Sequence, residues 1–266
     1  MGLGMGGSMT GNHDKKRAKL PFNTTTFVSG SSDYIVVSND ASLQVTDAGG
    51  AKDFSVSFWI KLTVDASSTS NKDGYIGLKA GQFRSGGFYM QYDDASGDDE
   101  SIALFTSTAS AQASVSSNTD LDHNVWYHIA ATYDVSTTTG KIYVDGVLSA
   151  TNSSLVNPTQ YTGDIHIGSS NTSSKFVSSV TSDIAFWKGV VLPAETISLL
   201  SSRSISPPEA GDLSTSGNLL KGWWRLDRLS ATGSNNVLDE SGNDNHGTSS
   251  GLADSDFQTN DSSTGV

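Results

Sequence analysis

Apolar and polar residues alternate along this chain in short bursts, with turn-forming clusters between them. Tyr34-Ile35-Val36-Val37 follows Ser29-Gly30-Ser31-Ser32-Asp33 and is β-branched and aromatic, which predicts a strand. In Phe54-Ser55-Val56-Ser57-Phe58-Trp59-Ile60 the period is two. Phe54, Val56, Phe58 and Ile60 take one face, and Ser55, Ser57, Trp59 and Lys61 the other. Further strands are predicted at Tyr75–Leu78, Gly87–Tyr92, Ile102–Thr106, Trp126–Tyr133, Lys141–Val144, Asp164–Ile167 and Ser182–Trp187. Trp126, His128, Ala130 and Thr132 share one face of their strand, and Tyr127, Ile129, Ala131 and Tyr133 the other; large residues on both faces fit a strand covered on both sides or twisted across the sandwich. Strands of this number and spacing imply two stacked antiparallel sheets.

One stretch carries a helical signal. Leu192 to Leu200 has Pro193 near a first-turn position, with Ile197 and Leu200 able to face the sheets, and Ser206-Pro207-Pro208-Glu209 is expected to end it. Tyr143-Val144-Asp145-Gly146-Val147 places Asp-Gly between β-formers, the residues a tight type I′ turn prefers.

Composition agrees with this pattern. Hydrophobic residues are 35% and charged residues 17% of the 266, and Ser, Thr, Gly, Asn and Asp fill the difference. Many short strands joined by polar turns need that mixture, and a helical protein does not. The chain has no cysteine, which excludes disulfides, thiolate metal sites and a cysteine nucleophile. No apolar run approaches the ~20 residues that cross a bilayer. Met1 to Thr10 is Gly-rich rather than charged and then apolar, so no secretory signal is expected there.

Charge divides the chain. Lys15, Lys16, Arg17 and Lys19 against Asp14 give residues 1–20 a charge of +3, leaving −15 on the remainder of a chain whose net charge is −12. Residues 1–24 read as an extended Gly-rich, basic arm whose four cations anchor it to neighbouring subunits. The acidic body at 25–250 repels nucleic acid and anionic membrane. Residues 251–266 read as a polar tail.

Three stretches carry a family resemblance. Trp126-Tyr127-His128-Ile129-Ala130-Ala131-Thr132-Tyr133-Asp134 with Gly140-Lys141-Ile142-Tyr143-Val144-Asp145-Gly146 resembles the central hairpin of laminin-G-like and pentraxin-like domains. Asp164 to Ser169, then Thr181 to Trp187 and the helix, is similar to the last core strands and closing helix of those domains. Gly222-Trp223-Trp224-Arg225-Leu226-Asp227 with Asp239-Glu240-Ser241-Gly242-Asn243-Asp244-Asn245-His246-Gly247 matches a stretch that opens the domain in many relatives but follows the helix here. That order resembles proteins of tailed phages. The resemblance implies an all-β, two-sheet antiparallel jelly-roll sandwich of the concanavalin A-like kind, with one short helix. The last stretch is expected to complete the same sandwich, since fewer than 50 residues would struggle to bury a core of their own.

Candidate chemistry is sparse. A glycan-cleaving relative would carry paired carboxylates on alternating positions of one strand, and Glu100, Glu195, Glu209 and Glu240 are scattered over loops, helix and turn. No enzyme is expected. Calcium takes six to eight oxygen ligands, and two acidic clusters offer them: Asp93, Asp94 and Asp98, and Asp239, Asn243 and Asp244. The bland readings are a solvated loop and a chain of Asx turns. His128 and His166 read as hydrogen-bonded structural residues on strands. Trp126 and Trp187 fall at family core positions. Trp59, Trp223 and Trp224 are the candidates for stacking on a sugar, with Trp223 and Trp224 on opposite faces of any strand they share.

Two functions follow as expectations. The first is a non-enzymatic virion structural protein, a phage capsid decoration or tail-appendage subunit on the virion surface. It would be a homo-oligomer held by residues 1–20 against neighbouring virion subunits. The alternative is an extracellular carbohydrate-binding adhesion module for a surface glycan, with calcium as its candidate cofactor.

Overall fold

The computed structural model describes residues 24–27, 33–63, 75–93, 101–169, 178–204, 206–212, 219–226, 229, 236–253 and 256–258. The basic arm residues Lys15, Lys16, Arg17 and Lys19, and the acidic-loop residues Asp94 and Asp98, lie outside them. In chain order the strands are β1 (Thr24–Phe27), β2 (Tyr34–Val37), β3 (Thr46–Asp47), β4 (Gly50–Ala51), β5 (Phe54–Leu62), β6 (Tyr75–Gln82), β7 (Gly86–Asp93), β8 (Ser101–Ser107) and β9 (Gln112–Ser116). They continue as β10 (Trp126–Asp134), β11 (Thr139–Val144), β12 (Val147–Asn152), β13 (Ile165–Ile167) and β14 (Ser179–Lys188). After the helices α1 (Ala194–Ser201) and α2 (Pro207–Asp212) come β15 (Leu220–Trp224), β16 (Gly247–Ser250) and β17 (Phe257–Gln258).

Two antiparallel sheets stack as a sandwich. The first runs β12-β11-β10-β5-β14-β1-β17, with β15 also paired to β14, and the second runs β16-β2-β13-β6-β7-β8-β9. The expected alternation holds on β5: Phe54, Val56, Phe58 and Ile60 are fully buried between the sheets. Phe88 of the second sheet stacks on Phe54 at 4.4 Å and on Phe186 at 5.5 Å, bridging the two layers.

A second, smaller apolar cluster lies on the outer face of the first sheet, where Ala130, Ala185, Trp187 and Leu220 meet Ile197, Leu200 and Ala210 of the helices. β10 is accordingly buried on both faces, as its sequence predicts. Asp145 and Gly146 have φ of 51° and 79°, both left-handed, and Val144 pairs with Val147 across them. This is the expected type I′ hairpin.

Three differences from the sequence reading have physical causes. Ser206-Pro207-Pro208-Glu209 does not merely end the first helix; it starts α2, with the Glu209 carboxylate reaching back to accept the Ser206 N–H. β9 and β12 escape prediction because they are polar: both are edge strands, and the edge tolerates Ser, Thr and Asn. As expected, residues past 222 complete the same sandwich, with β15 on β14 and β16 on β2. β17 pairs with β1, so the sheet includes Thr24 and extends past the boundary expected at residue 250.

Candidate functional site

A row of outward-facing side chains crosses four neighbouring strands of the first sheet. Alternation on β5 turns Ser57 and Trp59 outward. Register places His128 of β10 opposite Trp59, Ser182 of β14 opposite its other side, and Trp223 of β15 opposite Ala185. Between Ser182 and Ala185 the pairing of β14 with β5 slips, and Asp183 there adopts a left-handed φ of 51°. A bulge of this kind re-aims a side chain. The roof of the row is the α1–α2 connection, which brings Arg203, Ser204, Ser206, Pro207 and Glu209 over the strands. Together they enclose a pocket of about 340 Å³, at the small end of the ~300–1,000 Å³ usual for ligand sites.

Asp183 and Arg203 are the buried charges of the pocket. Their side chains are 7% and 12% exposed, and Arg203 Nη1 lies 3.5 Å from Asp183 Oδ2. The Trp223 indole N–H donates to Asp183 Oδ1 at 3.3 Å and the Ser182 hydroxyl to Oδ2 at 3.2 Å. Burial pushes the Asp183 carboxyl above its ordinary value, and Arg203 works against that shift. Arg203 also lies over Trp59, its guanidinium carbon 4.5 Å from the ring centre. His128 meets the same indole edge-on at 5.3 Å. Burial, helped by the Arg203 charge, drives His128 down to about 3, so its ring is neutral. A second guanidinium, Arg225, sits 5.9 Å over Trp223 and pairs with Glu240 at 3.4 Å.

The structure therefore brings two of the three tryptophans singled out as ligand contacts, Trp59 and Trp223, into one half-buried site. Trp224 is a correction. It faces the inter-sheet core, is fully buried, and donates its indole N–H to the Asn245 carbonyl at 2.9 Å, so it has no face to offer a ligand. Trp126 is a smaller one: it is half-buried beneath Lys61 rather than in the core. The histidines differ as well, since Nδ1 of both His128 and His166 is buried with no hydrogen-bond partner.

The acidic cluster near the C-terminus is a folded latch. The Asp239 carboxylate accepts from the Trp223 N–H (2.8 Å), the Ser241 N–H (2.9 Å) and hydroxyl (2.8 Å), and the Asn245 N–H (3.0 Å). Asn243 donates to the Leu220 carbonyl at 2.8 Å, while the Asp244 side chain is 93% exposed. Asp93 ends β7. Among the described residues no group of three or more His, Asp or Glu is arranged to hold a metal, and no helix is long and apolar enough to cross a membrane.

Comparison with known proteins fits this architecture. A profile of the concanavalin A-like lectin/glucanases superfamily, of the third laminin-G type, matches residues 29–198, more than half of the chain. The chain belongs to that superfamily. No curated protein matches this lectin-like sequence. Among solved structures the sandwich is similar to a candidate carbohydrate-binding protein from Bacteroides ovatus (16% identity, TM-score 0.56, 86% of this chain and 58% of that one). It is also similar to the binding domain of botulinum neurotoxin serotype D (18%, 0.51, 68% and 43%). A heptameric pentraxin from Limulus polyphemus matches at 13% identity and a TM-score of 0.49, over 70% of this chain and 84% of that one. At such identities the likeness is one of fold, and the chain spans little more than half of the Bacteroides protein.

Sequence reasoning missed Asp183, Arg203, Arg225 and Glu209 as neighbours. Glycanase-type spacing on one strand is the pattern it sought, whereas the two pocket carboxylates arrive from a strand bulge and a helix cap.

Proposed function

We propose that this chain is a non-enzymatic carbohydrate-binding module of the lectin-like sandwich class, displayed outside the cell, with the Trp59–Trp223 pocket as its seat. One observation carries this reading: two half-buried indoles from different strands share a small pocket with a guanidinium–carboxylate pair and three serines. A sugar packs its C–H face against an indole and matches its hydroxyls to donors and acceptors in alternation, and this pocket supplies both. The superfamily and the fold shared with the Bacteroides protein support the same reading.

The pocket's chemistry favours binding over cleavage. Glycoside hydrolysis needs one carboxyl free to give a proton and another free to attack or to activate water. Here the Glu209 carboxylate accepts the Ser206 N–H and hydroxyl at 2.6 and 2.7 Å, as a helix cap does, and Asp183 is ion-paired with Arg203. The virion reading rests on the charge and start of residues 1–20, outside the described residues, and on the phage-like order of the stretch from Gly222 to Gly247, and the comparisons do not support it.

A glycan array probed with the full chain tests the proposal. At least one glycan is expected to bind, and Trp223→Ala and Trp59→Ala each to weaken it about tenfold or more, the order of one lost aromatic contact of about 1.5–3 kcal/mol. Binding untouched by either substitution would move the seat elsewhere, and a chain that binds no glycan would sink the reading.

A further inference from the structure

The outer face of the other sheet holds a cation that the described residues do not neutralise. Lys79 of β6 is 3% exposed and turns away from the core. Its Nζ lies 3.4 Å from the Tyr161 hydroxyl and 5.4 Å from the centre of the same ring. No carboxylate among the described residues pairs with it. An ammonium out of water without a partner anion is costly, and most buried lysines are paired. Burial is the cause that lowers Lys79, to about 8, which still leaves the amine charged at neutral pH.

The neighbours of Lys79 are polar and incomplete. His166 of β13 stands opposite it in register and is 9% exposed, with Nδ1 lacking a hydrogen-bond partner. Burial first, and then the Lys79 charge, hold His166 down to about 4, so the imidazole is neutral and able to present either a donor or an acceptor. Tyr34 flanks it, ring centres 6.3 Å apart. Tyr161, 8% exposed, covers the amine, folded back over Gly163, where a Cβ would come within 2.5 Å of the tyrosine hydroxyl. Asp164 is close enough to raise both Tyr161 and His166, but it is not among the causes acting on Lys79, and it accepts the Asn39 N–H at 3.1 Å.

We propose that Lys79, Tyr161 and His166 form a second binding site, separate from the tryptophan pocket, that takes a monoanionic carboxylate. One cation beside a neutral imidazole matches a single negative charge. The ammonium, the phenol and the imidazole can each donate to a carboxylate oxygen, and charge-assisted bonds of this kind are the strong ones. The carboxylate can be a free acid or the acidic group of a sugar; the chemistry at Lys79 is the same.

The test is thermal unfolding of the full chain titrated with sodium acetate at pH 7, at constant ionic strength made up with chloride. A saturable rise in melting temperature is expected, because a ligand bound only by the folded state stabilises it by mass action. Its midpoint should move at least about tenfold upward in Lys79→Met and in Tyr161→Phe, as loss of a hydrogen bond to a charged group implies. Acetate should also shift the His166 ring signals in NMR spectra of the unsubstituted chain, a readout that survives if Lys79→Met fails to fold. Glucuronic acid in place of acetate separates an acidic sugar from a free acid, and a response to either that is weakened in Lys79→Met keeps the site. No response beyond that of chloride, midpoints in both variants equal to that of the unsubstituted chain, or a stronger effect of phosphate dianion would each overturn the proposal. None of these outcomes touches glycan binding at Trp59 and Trp223, which the array reads independently.

Discussion

Arg203 and Asp183 are the closest opposite charges in the tryptophan pocket. Removing one partner of a buried pair costs about 3–5 kcal/mol, because the remaining charge loses its opposite charge at close range. Asp183→Ala and Arg203→Ala are each expected to lose stability of that order in urea unfolding. The double variant should lose clearly less than the sum, since neither charge is then stranded. Additive losses would show that the pair does not couple. The sequence made only part of this site legible. Period-two alternation on β5 turns Trp59 outward, and the Trp223-Trp224 doublet must split between faces. Asp183 depends on a bulge, and Arg203 on where a helix end lands, and neither leaves a mark in local spacing.

At the scale of elements, the segment after the helices is what closes the sandwich, and two residues hold it. Gly222 lies beneath the indole of Trp224: a Cβ there would approach the ring to 2.2 Å. Gly222→Ala therefore forces a fully buried ring or its strand to move, an overpacking cost of about 1–3 kcal/mol or more. Asp239 ties the β15 backbone to the turn before β16 through its four accepted hydrogen bonds. Asp239→Ala strands buried N–H groups, and about 2–6 kcal/mol of destabilisation is expected by chemical denaturation, from two such groups at about 1–3 kcal/mol each. Calcium should not restore it, since the role is to accept protein donors; rescue by calcium would return Asp239 to the metal ligands. The Asp-Gly hairpin and the β5 and β10 faces were readable because their signals are local. The second helix was also written in the sequence, as Ser206 three residues before Glu209 with proline at the first helical position, but proline pairs read more readily as terminators than as starts.

At the scale of the whole molecule, each sheet buries one neutral histidine on its outer face: His128 under Arg203 and Trp59, and His166 beside Lys79 and Tyr161. The folded chain holds these rings near 3 and 4, against about 6.5 in an unfolded chain. The sign follows directly. A group whose folded value is depressed contributes fully above about pH 6.5, and that contribution is lost as the pH falls toward the folded value. Around pH 5 the unfolded chain carries both protons and the native chain neither. Each proton then adds about 1.4 kcal/mol per pH unit to the slope of stability against pH. Carboxylates titrate in the lower part of this window, Asp183 with the opposite sign because its folded value is raised, so the absolute slope mixes contributions. The difference between the chain and its His128→Leu variant does not. The variant's unfolding free energy, measured by urea titration between pH 6.5 and 5, should fall less steeply than that of the unsubstituted chain by close to one proton. An unchanged slope would mean that His128 takes up its proton without unfolding, and that the pocket beneath Arg203 admits charge more readily than its burial implies.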